Sequence, residues 1–312
     1  MEYNLLNGDC IEMMKTLESK SVDLILTDLP YGVLNERNKW DKVIDFDEMW
    51  KEVYRIGKPN TAFITTAKQP FTSQLIMSNL NNFRYTMVWE KSKATGYLNS
   101  KRMPLVAHED IVVFYKKLPT YNPQMTEGKP YDKGKAVRDT ESYGEQTEAI
   151  HVKNENGLRY PRSVKYFVTA EMEGKLHPTQ KPIKLFEWLI KMYSNENDVV
   201  LDITMGSGTT GVAAINTNRK FIGIELDDTY FKVSEKRISE SIGIQKFFKG
   251  EKALDKINLI NGDCLEEMKN IEDNSVDMIL NDPPYGLTEC KWDTVIDLNL
   301  MWDHLNRIIK KN

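Results

Sequence analysis

Residues 199–211 read VVLDITMGSGTTG, and Glu225 closes the next apolar run, FIGIE, at 221–225. A short β-branched run ends on Asp202, then passes through Gly206, Ser207, Gly208, Thr209 and Thr210 into a helical pattern. That order is the sequence of a βαβ nucleotide site. The glycines let a ligand approach the backbone, and an acid at the end of the second strand can hold both hydroxyls of a ribose. A dinucleotide would set its pyrophosphate at the helix N-terminus. S-adenosylmethionine would set its methionine moiety near the loop and its ribose on the acid. The loop alone leaves that choice open.

Working outward, short β-branched and aromatic runs at 22–26, 61–65, 85–89 and 110–115 alternate with helical patterns at 11–17, 46–56, 182–193, 209–216 and 228–239. Alternation of this kind predicts α/β architecture. The run at 22–26 leads directly into Asp28-Leu29-Pro30-Tyr31-Gly32. Ligands of α/β sheets bind at the carboxyl ends of strands, so these residues form a candidate site. The Asp28 carboxylate and the Leu29 carbonyl can both accept hydrogen bonds from one NH2 group. Pro30 fixes the backbone and restricts Leu29 to an extended conformation. Tyr31 offers a flat face to a planar ring. An ordinary strand-terminating Asp-X-Pro turn explains the tetrapeptide taken alone; beside the nucleotide loop, methylation of an exocyclic base amine explains more. Such a nitrogen is a poor nucleophile, and two acceptors on its protons make its lone pair more available. In-line positioning supplies much of the remaining acceleration. A base inside a duplex must be flipped out to be reached, and Tyr31 is placed to receive it.

One block of sequence occurs twice. NLLNGDCIEMMKTLESKSVDLILTDLPYG at 4–32 returns as NLINGDCLEEMKNIEDNSVDMILNDPPYG at 258–286, and KWDKVID at 39–45 returns as KWDTVID at 291–297. The expected organisation is a catalytic domain over 1–250 and a partial repeat of residues 3–60 over 251–312, with a linker at 243–256. The stretch 118–164 is polar, rich in Gly, Tyr, Lys and Glu, and too long for an ordinary loop. It reads as a surface insertion or a substrate-recognition region.

The 312 residues are 40% hydrophobic and 28% charged, as in a soluble globular protein. A net charge of −4 does not announce nucleic acid, although a basic groove on an acidic body escapes that sum. Lys91, Lys93, Lys101 and Arg102 follow a strand, and Lys129, Lys133, Lys135, Arg138, Arg159 and Arg162 mix with Tyr121, Tyr131, Tyr143 and Tyr160 in the insertion. Such interleaving suits DNA contact or a solvated face. The three cysteines form no C-x-x-C and the four histidines have no ligand spacing, so no metal site is expected. No apolar run spans a bilayer and no secretory signal is seen, so a cytoplasmic protein is expected.

At this point the chain resembles the amino-DNA methyltransferases, the adenine-N6 and cytosine-N4 enzymes, in the β arrangement that places the catalytic tetrapeptide first and the cofactor loop last. Asp28-Leu29-Pro30-Tyr31 is similar to the family's D-P-P-Y, with Leu for the first Pro. Asp202 to Thr210 is similar to D-P-F-x-G-S-G-T-T, with Ile203 and Thr204 for Pro-Phe. The resemblance implies a Rossmann-like fold of strand order 3-2-1-4-5-7-6 and S-adenosylmethionine as cofactor. It implies cofactor contacts from Asp9 and Cys10, from Thr179, Gln180 and Lys181 near the methionine carboxylate, and from Asp202, Thr204, Gly206, Ser207, Gly208, Thr209, Thr210 and Glu225. It implies double-stranded DNA as the partner, and it leaves open a homodimer and a restriction endonuclease partner. The D-x-P-Y form leans to adenine N6. A cytosine-N4 enzyme, an RNA or protein-amide methyltransferase and an inactive DNA-binding remnant are the alternatives. The second block can be an inert remnant, can seat in another protomer, or can replace the first block in its own sheet. The first block runs on into the strand at 61–65, which makes it the expected catalytic copy.

Overall fold

Asp9 lies just past the first strand and caps the first helix. Its carboxylate accepts the backbone N–H groups of Ile11 and Glu12, two of the donors that a helix start leaves without partners. Asp45 caps the next helix in the same way, through Asp47 and Glu48. The computed structural model describes residues 2–32, 41–136, 150–173, 180–248, 260–281, 283–284 and 294–311. Within it the chain divides into two compact units, 1–249 and 250–312.

The first unit runs β1 (Tyr3–Asn7), α1 (Cys10–Thr16), β2 (Val22–Thr27), α2 (Phe46–Ile56), β3 (Gly57–Ala67), α3 (Phe71–Ser78), β4 (Phe83–Thr95), β5 (Val106–Phe114), β6 (Tyr131–Ala136), β7 (Ile150–Asn154), β8 (Val164–Phe167), α4 (Ile183–Tyr193), β9 (Val199–Asp202), α5 (Thr209–Asn216), β10 (Lys220–Glu225) and α6 (Asp228–Phe248). Among the described residues the main sheet has the order β1-β10-β9-β2-β3-β5-β4-β8. Its first seven strands follow the order the resemblance implies, and β8 adds an edge. The strands from β1 to β3 are parallel, whereas β5 is antiparallel to both β3 and β4.

β2 lies between β9 and β3, and its VDLILT sequence is apolar on both faces, as a strand buried between two helical layers requires. Leu24 and Leu26 point into a core shared with Leu185, Phe186 and Leu189 of α4 and Val212 and Ile215 of α5. Ile25 points the other way, toward Met14 of α1, Met49 and Val53 of α2 and Phe71 of α3. β9 and β2 are parallel, but the strand order switches between them, with β9 leading outward to β10 on one side and β2 to β3 on the other, so their carboxyl ends open the crevice where α/β sheets hold ligands.

Two features differ from the sequence reading. The linker expected at 243–256 begins inside α6, which continues to Phe248. The helix persists because Ile238 and Ile242 pack on the core, and Ser241 donates to Asn216 at 3.1 Å. The polar insertion carries a hairpin of its own, β6 against β7, before β8 rejoins the main sheet beside β4.

The second unit contains α7 (Cys264–Glu267) and α8 (Leu298–Ile308). Met301, Leu305 and Ile308 make a small core with Leu265, Met268, Ile271 and Val276. Val276 and Ile309 form an isolated parallel bridge.

Candidate active site

Asp28 leaves the carboxyl end of β2 into a ring of polar side chains supplied by four other segments. Its Oδ1 accepts the hydroxyl of Thr66 on β3 and the phenol of Tyr31 at 2.9 Å. Its Oδ2 takes Lys181 Nζ at 2.6 Å. Lys181 also lies 3.5 Å from Glu109 Oε2 on β5, and Glu109 Oε1 accepts Lys91 Nζ of β4 at 2.8 Å. Lys91, Glu109, Lys181 and Asp28 therefore alternate in sign along a sequestered chain that ends on the candidate catalytic carboxylate. Burial alone would raise the Glu109 carboxyl, but Lys181 and Lys91 bring it below the usual carboxylate range. Burial likewise opposes the charge on Lys181, and Asp28 and Glu109 outweigh it, so the ammonium is held firmly protonated. A pair of lysines serving a pair of carboxylates leaves the cluster neutral, which is the condition for keeping charges out of water.

Tyr31 packs against Phe71, with ring centroids 5.2 Å apart, and Lys181 Nζ lies 5.6 Å from the Tyr31 centroid. Burial and the neighbouring Asp28 push its phenol well above the usual value, so it remains a neutral donor. Leu29 is buried in the core beside Cys10 and Ile203, which accounts for an apolar residue in the tetrapeptide. Pro30 stays partly accessible.

The glycine loop is braced from behind. Asp202 is buried and accepts Thr27 Oγ1 at 2.7 Å, the Thr204 N–H at 3.0 Å and the Thr210 hydroxyl. Burial raises its carboxyl to about 7. Thr204 donates through Oγ1 to the Asp28 carbonyl at 3.1 Å and lies 2.8 Å from Thr27 Oγ1. The departure from the family's Pro-Phe thus ties the cofactor loop to the tetrapeptide. Ser207 and Thr209 are buried under Arg237 of α6, whose Nη1 donates to Ser207 O at 3.2 Å and Thr209 Oγ1 at 3.1 Å. Gly208 sits at φ +81, where a Cβ would stand 2.9 Å from Ser234, so the close loop–helix approach needs glycine.

The open side of the loop is acidic. Glu225 Oε2 accepts the Gly206 N–H and Oε1 accepts the Asp227 N–H, both at 2.8 Å, leaving a lone pair on each oxygen. Burial raises its carboxyl above the ordinary value. The end of β1 is tied to the same residue, because Gly8 N–H and Asn7 Nδ2 both donate to the Glu225 carbonyl. Asp9 uses Oδ1 to cap α1, and the Cys10 thiol is buried and pushed up to about 12, chiefly by desolvation. Open space lies where a Cβ on Gly206 would stand, so this rim can take a ligand against the backbone.

Structure therefore brings Asp28, Tyr31, Lys181, Asp202 and Thr204 into one connected group, with Glu225 and Gly206 at the adjoining rim. Lys181, expected near the methionine carboxylate, meets the Asp28 carboxylate. Gln180 precedes it, and Thr179 lies outside the described residues. Thr27, Thr66, Lys91, Glu109 and Arg237 also build the site. Among the described residues, no group of three or more His, Cys, Asp or Glu is arranged to hold a metal ion, and no helix is long and apolar enough to cross a membrane.

The family described as DNA methylase, N6_N4_Mtase, matches residues 22–236. This chain belongs to that family. The methylase is 31% identical over 261 residues to the type II methyltransferase M.HinfI of Haemophilus influenzae, covering 76% of this chain and 68% of the relative. It is 31% identical over 252 residues to the DNA adenine methyltransferase YhdJ of Escherichia coli, covering 75% and 82%. Among solved structures, the methylase fold matches the complex of M1.HpyAVI with SAM at TM-score 0.53, with 24% identity over 76% of this chain and 98% of that one. It also matches the cytosine-N4-specific PvuII DNA methyltransferase at TM-score 0.54, with 17% identity over 80% and 94%. The protein is a DNA methyltransferase of α/β, Rossmann-like fold.

Proposed function

We propose that the chain methylates the exocyclic N6 amine of an adenine flipped out of double-stranded DNA at a specific sequence, with S-adenosylmethionine as donor. The carrying observation is the placement of Asp28 at the carboxyl end of β2, one hydrogen-bonded step from the cofactor loop through Thr204. The residues fit that cofactor: Glu225 has a free lone pair on each oxygen for ribose hydroxyls, and Gly206 leaves room against the backbone. When bound, the cofactor supplies an electrophilic methyl group. The protein's own part is to hold the amine. Asp28 and the Leu29 carbonyl accept its two N–H groups, while Lys181, Thr66 and Tyr31 fix the carboxylate in place. The amine trades places with one of the donors that occupy Asp28 in the free site.

Adenine is favoured over cytosine because the tetrapeptide opens on Asp28; by resemblance, cytosine-N4 enzymes more often open on Ser. The first unit acts as the catalytic domain, with 118–164 reading the DNA, and 251–312 is a partial duplication of 3–60. The type II names of the relatives support pairing with a restriction endonuclease. Unmethylated genomic DNA, incubated with the protein and S-adenosylmethionine and digested to nucleosides, is expected to yield N6-methyladenine by mass spectrometry. N4-methylcytosine in its place contradicts the base assignment, and neither product contradicts the reaction.

A further inference from the structure

β4 and β5 do not stop where the sheet stops. The last residue of β3, Ala67, pairs with Asp110 of β5, and β8 pairs with β4 only as far as Lys91. Beyond these points residues 92–107 form a hairpin that has no strand neighbour among the described residues; its base is tied by Ser92 to Thr169 and by Lys93 to Glu171, and it projects from the edge that carries Asp28. Its base is fixed to the site, because Lys91 and Glu109 belong to the charged chain that ends on Asp28. Three or four further residues at about 3.3 Å each carry the tip roughly 10–13 Å past the catalytic cluster.

That tip is ordered by its own backbone. Asn99 donates to the Gly96 carbonyl, Ser100 to Tyr97, and Arg102 and Met103 to Asn99, all between 2.8 and 3.0 Å. Gly96 at φ +91 turns the chain into this coil. The tip presents apolar side chains outward: Tyr97 is 80% and Leu98 97% exposed, and Met103 and Leu105 are exposed as well. An apolar knob held rigidly in water marks a contact surface. Its surroundings choose the partner. From Lys91 to Ala107 there are four basic residues and no acidic one; Lys91 is buried on Glu109 and Lys93 pairs with Glu171 at 3.1 Å, so the charge at the tip is that of Lys101 and Arg102. Lys101 and Arg102 are exposed beside the knob.

We propose that the tip of this hairpin is the wedge that enters duplex DNA where the target adenine leaves, with Leu98 and Tyr97 filling the vacated stack and Lys101 and Arg102 on the flanking phosphates. An apolar side chain between base steps offsets lost stacking, and cations beside it hold the backbone. The inference rests on the proposed base-flipping reaction.

The test uses two duplexes carrying the methylated sequence mapped from treated genomic DNA: one fully paired, one with an abasic site opposite the target adenine. Wild-type turnover on both is the control that separates this inference from the reaction itself. Tyr97→Ala/Leu98→Ala is expected to slow methylation about tenfold or more on the paired duplex and to stay within about twofold of wild type on the pre-opened one. Leu98→Phe, which keeps a wedge, retains the rate on both. Lys101→Ala/Arg102→Ala weakens binding to both and makes the plot of log affinity against log salt shallower by about two. Calorimetry with S-adenosylmethionine checks that each variant keeps its cofactor site. Equal loss on the two duplexes, or no loss on either, overturns the wedge. A change in oligomeric state accompanied by equal loss assigns the apolar tip to a protein contact instead.

Discussion

Residues 3–60 and 258–312 carry a repeated sequence pattern, and they fold alike only up to a point. Asp263 accepts from Leu265 and Glu266 as Asp9 does from Ile11 and Glu12, and Asp297 caps α8 as Asp45 caps α2. Arg307 donates to the carbonyls of Ile271 and Met268, the counterparts of Leu17 and Met14, which Arg55 binds. Lys310 pairs with Asp277 at 2.6 Å, as Lys58 pairs with Asp23. The caps, the arginine bridge and the ion pair all join residues inside the repeated stretch, and both copies form them. The strand is different. Leu24 and Leu26 of β2 are fully buried, whereas their counterparts Met278 and Leu280 are 72% and 87% exposed. β2 becomes a strand between β9 and β3; among the described residues its counterpart makes one bridge, at Val276. Sheet membership is a tertiary property that the repeated sequence does not carry.

The same lesson holds for the chemistry. Thr66, Lys91, Glu109 and Lys181, which hold Asp28 in place, all lie outside the repeated stretch. Asp282-Pro283-Pro284-Tyr285 is closer to the family pattern than the first copy, and its Asp282 and Tyr285 lie outside the described residues.

Packing offers the largest contrast in stability. Trp50 is 6% exposed, donates to Ser78 at 2.9 Å and meets Phe63 and Phe114, whereas Trp302 is 57% exposed. Trp50→Ala should cost about 3–5 kcal/mol in urea unfolding. Trp302→Ala should change stability by no more than about 0.5 kcal/mol. Comparable losses would mean that the second unit buries its helix as the first does. The smaller contrast is in thiol chemistry. In a Cys290→Ser background, an alkylating reagent should label Cys264 in the native protein and Cys10 only after unfolding, because Cys10 is buried with its thiol pushed up to about 12 and Cys264 is exposed. Native labelling of both would remove the distinction.

Much of this was legible in the sequence because it is local. The glycine loop, the helix at 46–56 and the apolar run of β2 each announce themselves within a dozen residues. Glu109 does not: nothing around it differs from any strand acid, and only the antiparallel return of β5 brings it to Lys181. Lys91 reads as a DNA contact, but its ammonium is buried on Glu109. Thr204 reads only as a departure from the family's Pro-Phe, and the structure shows its hydroxyl holding the Asp28 carbonyl. β1, mostly accessible at the sheet edge, has too weak a pattern to stand out.

The central claim is that the first copy catalyses and the second does not. Single-turnover methylation of unmethylated DNA by Asp28→Ala and Asp282→Ala measures it directly. Asp28→Ala is predicted to lose roughly 100-fold or more, the scale of removing a group that orients the reacting amine, while Asp282→Ala keeps the wild-type rate. Full activity in Asp28→Ala together with loss in Asp282→Ala would contradict the account.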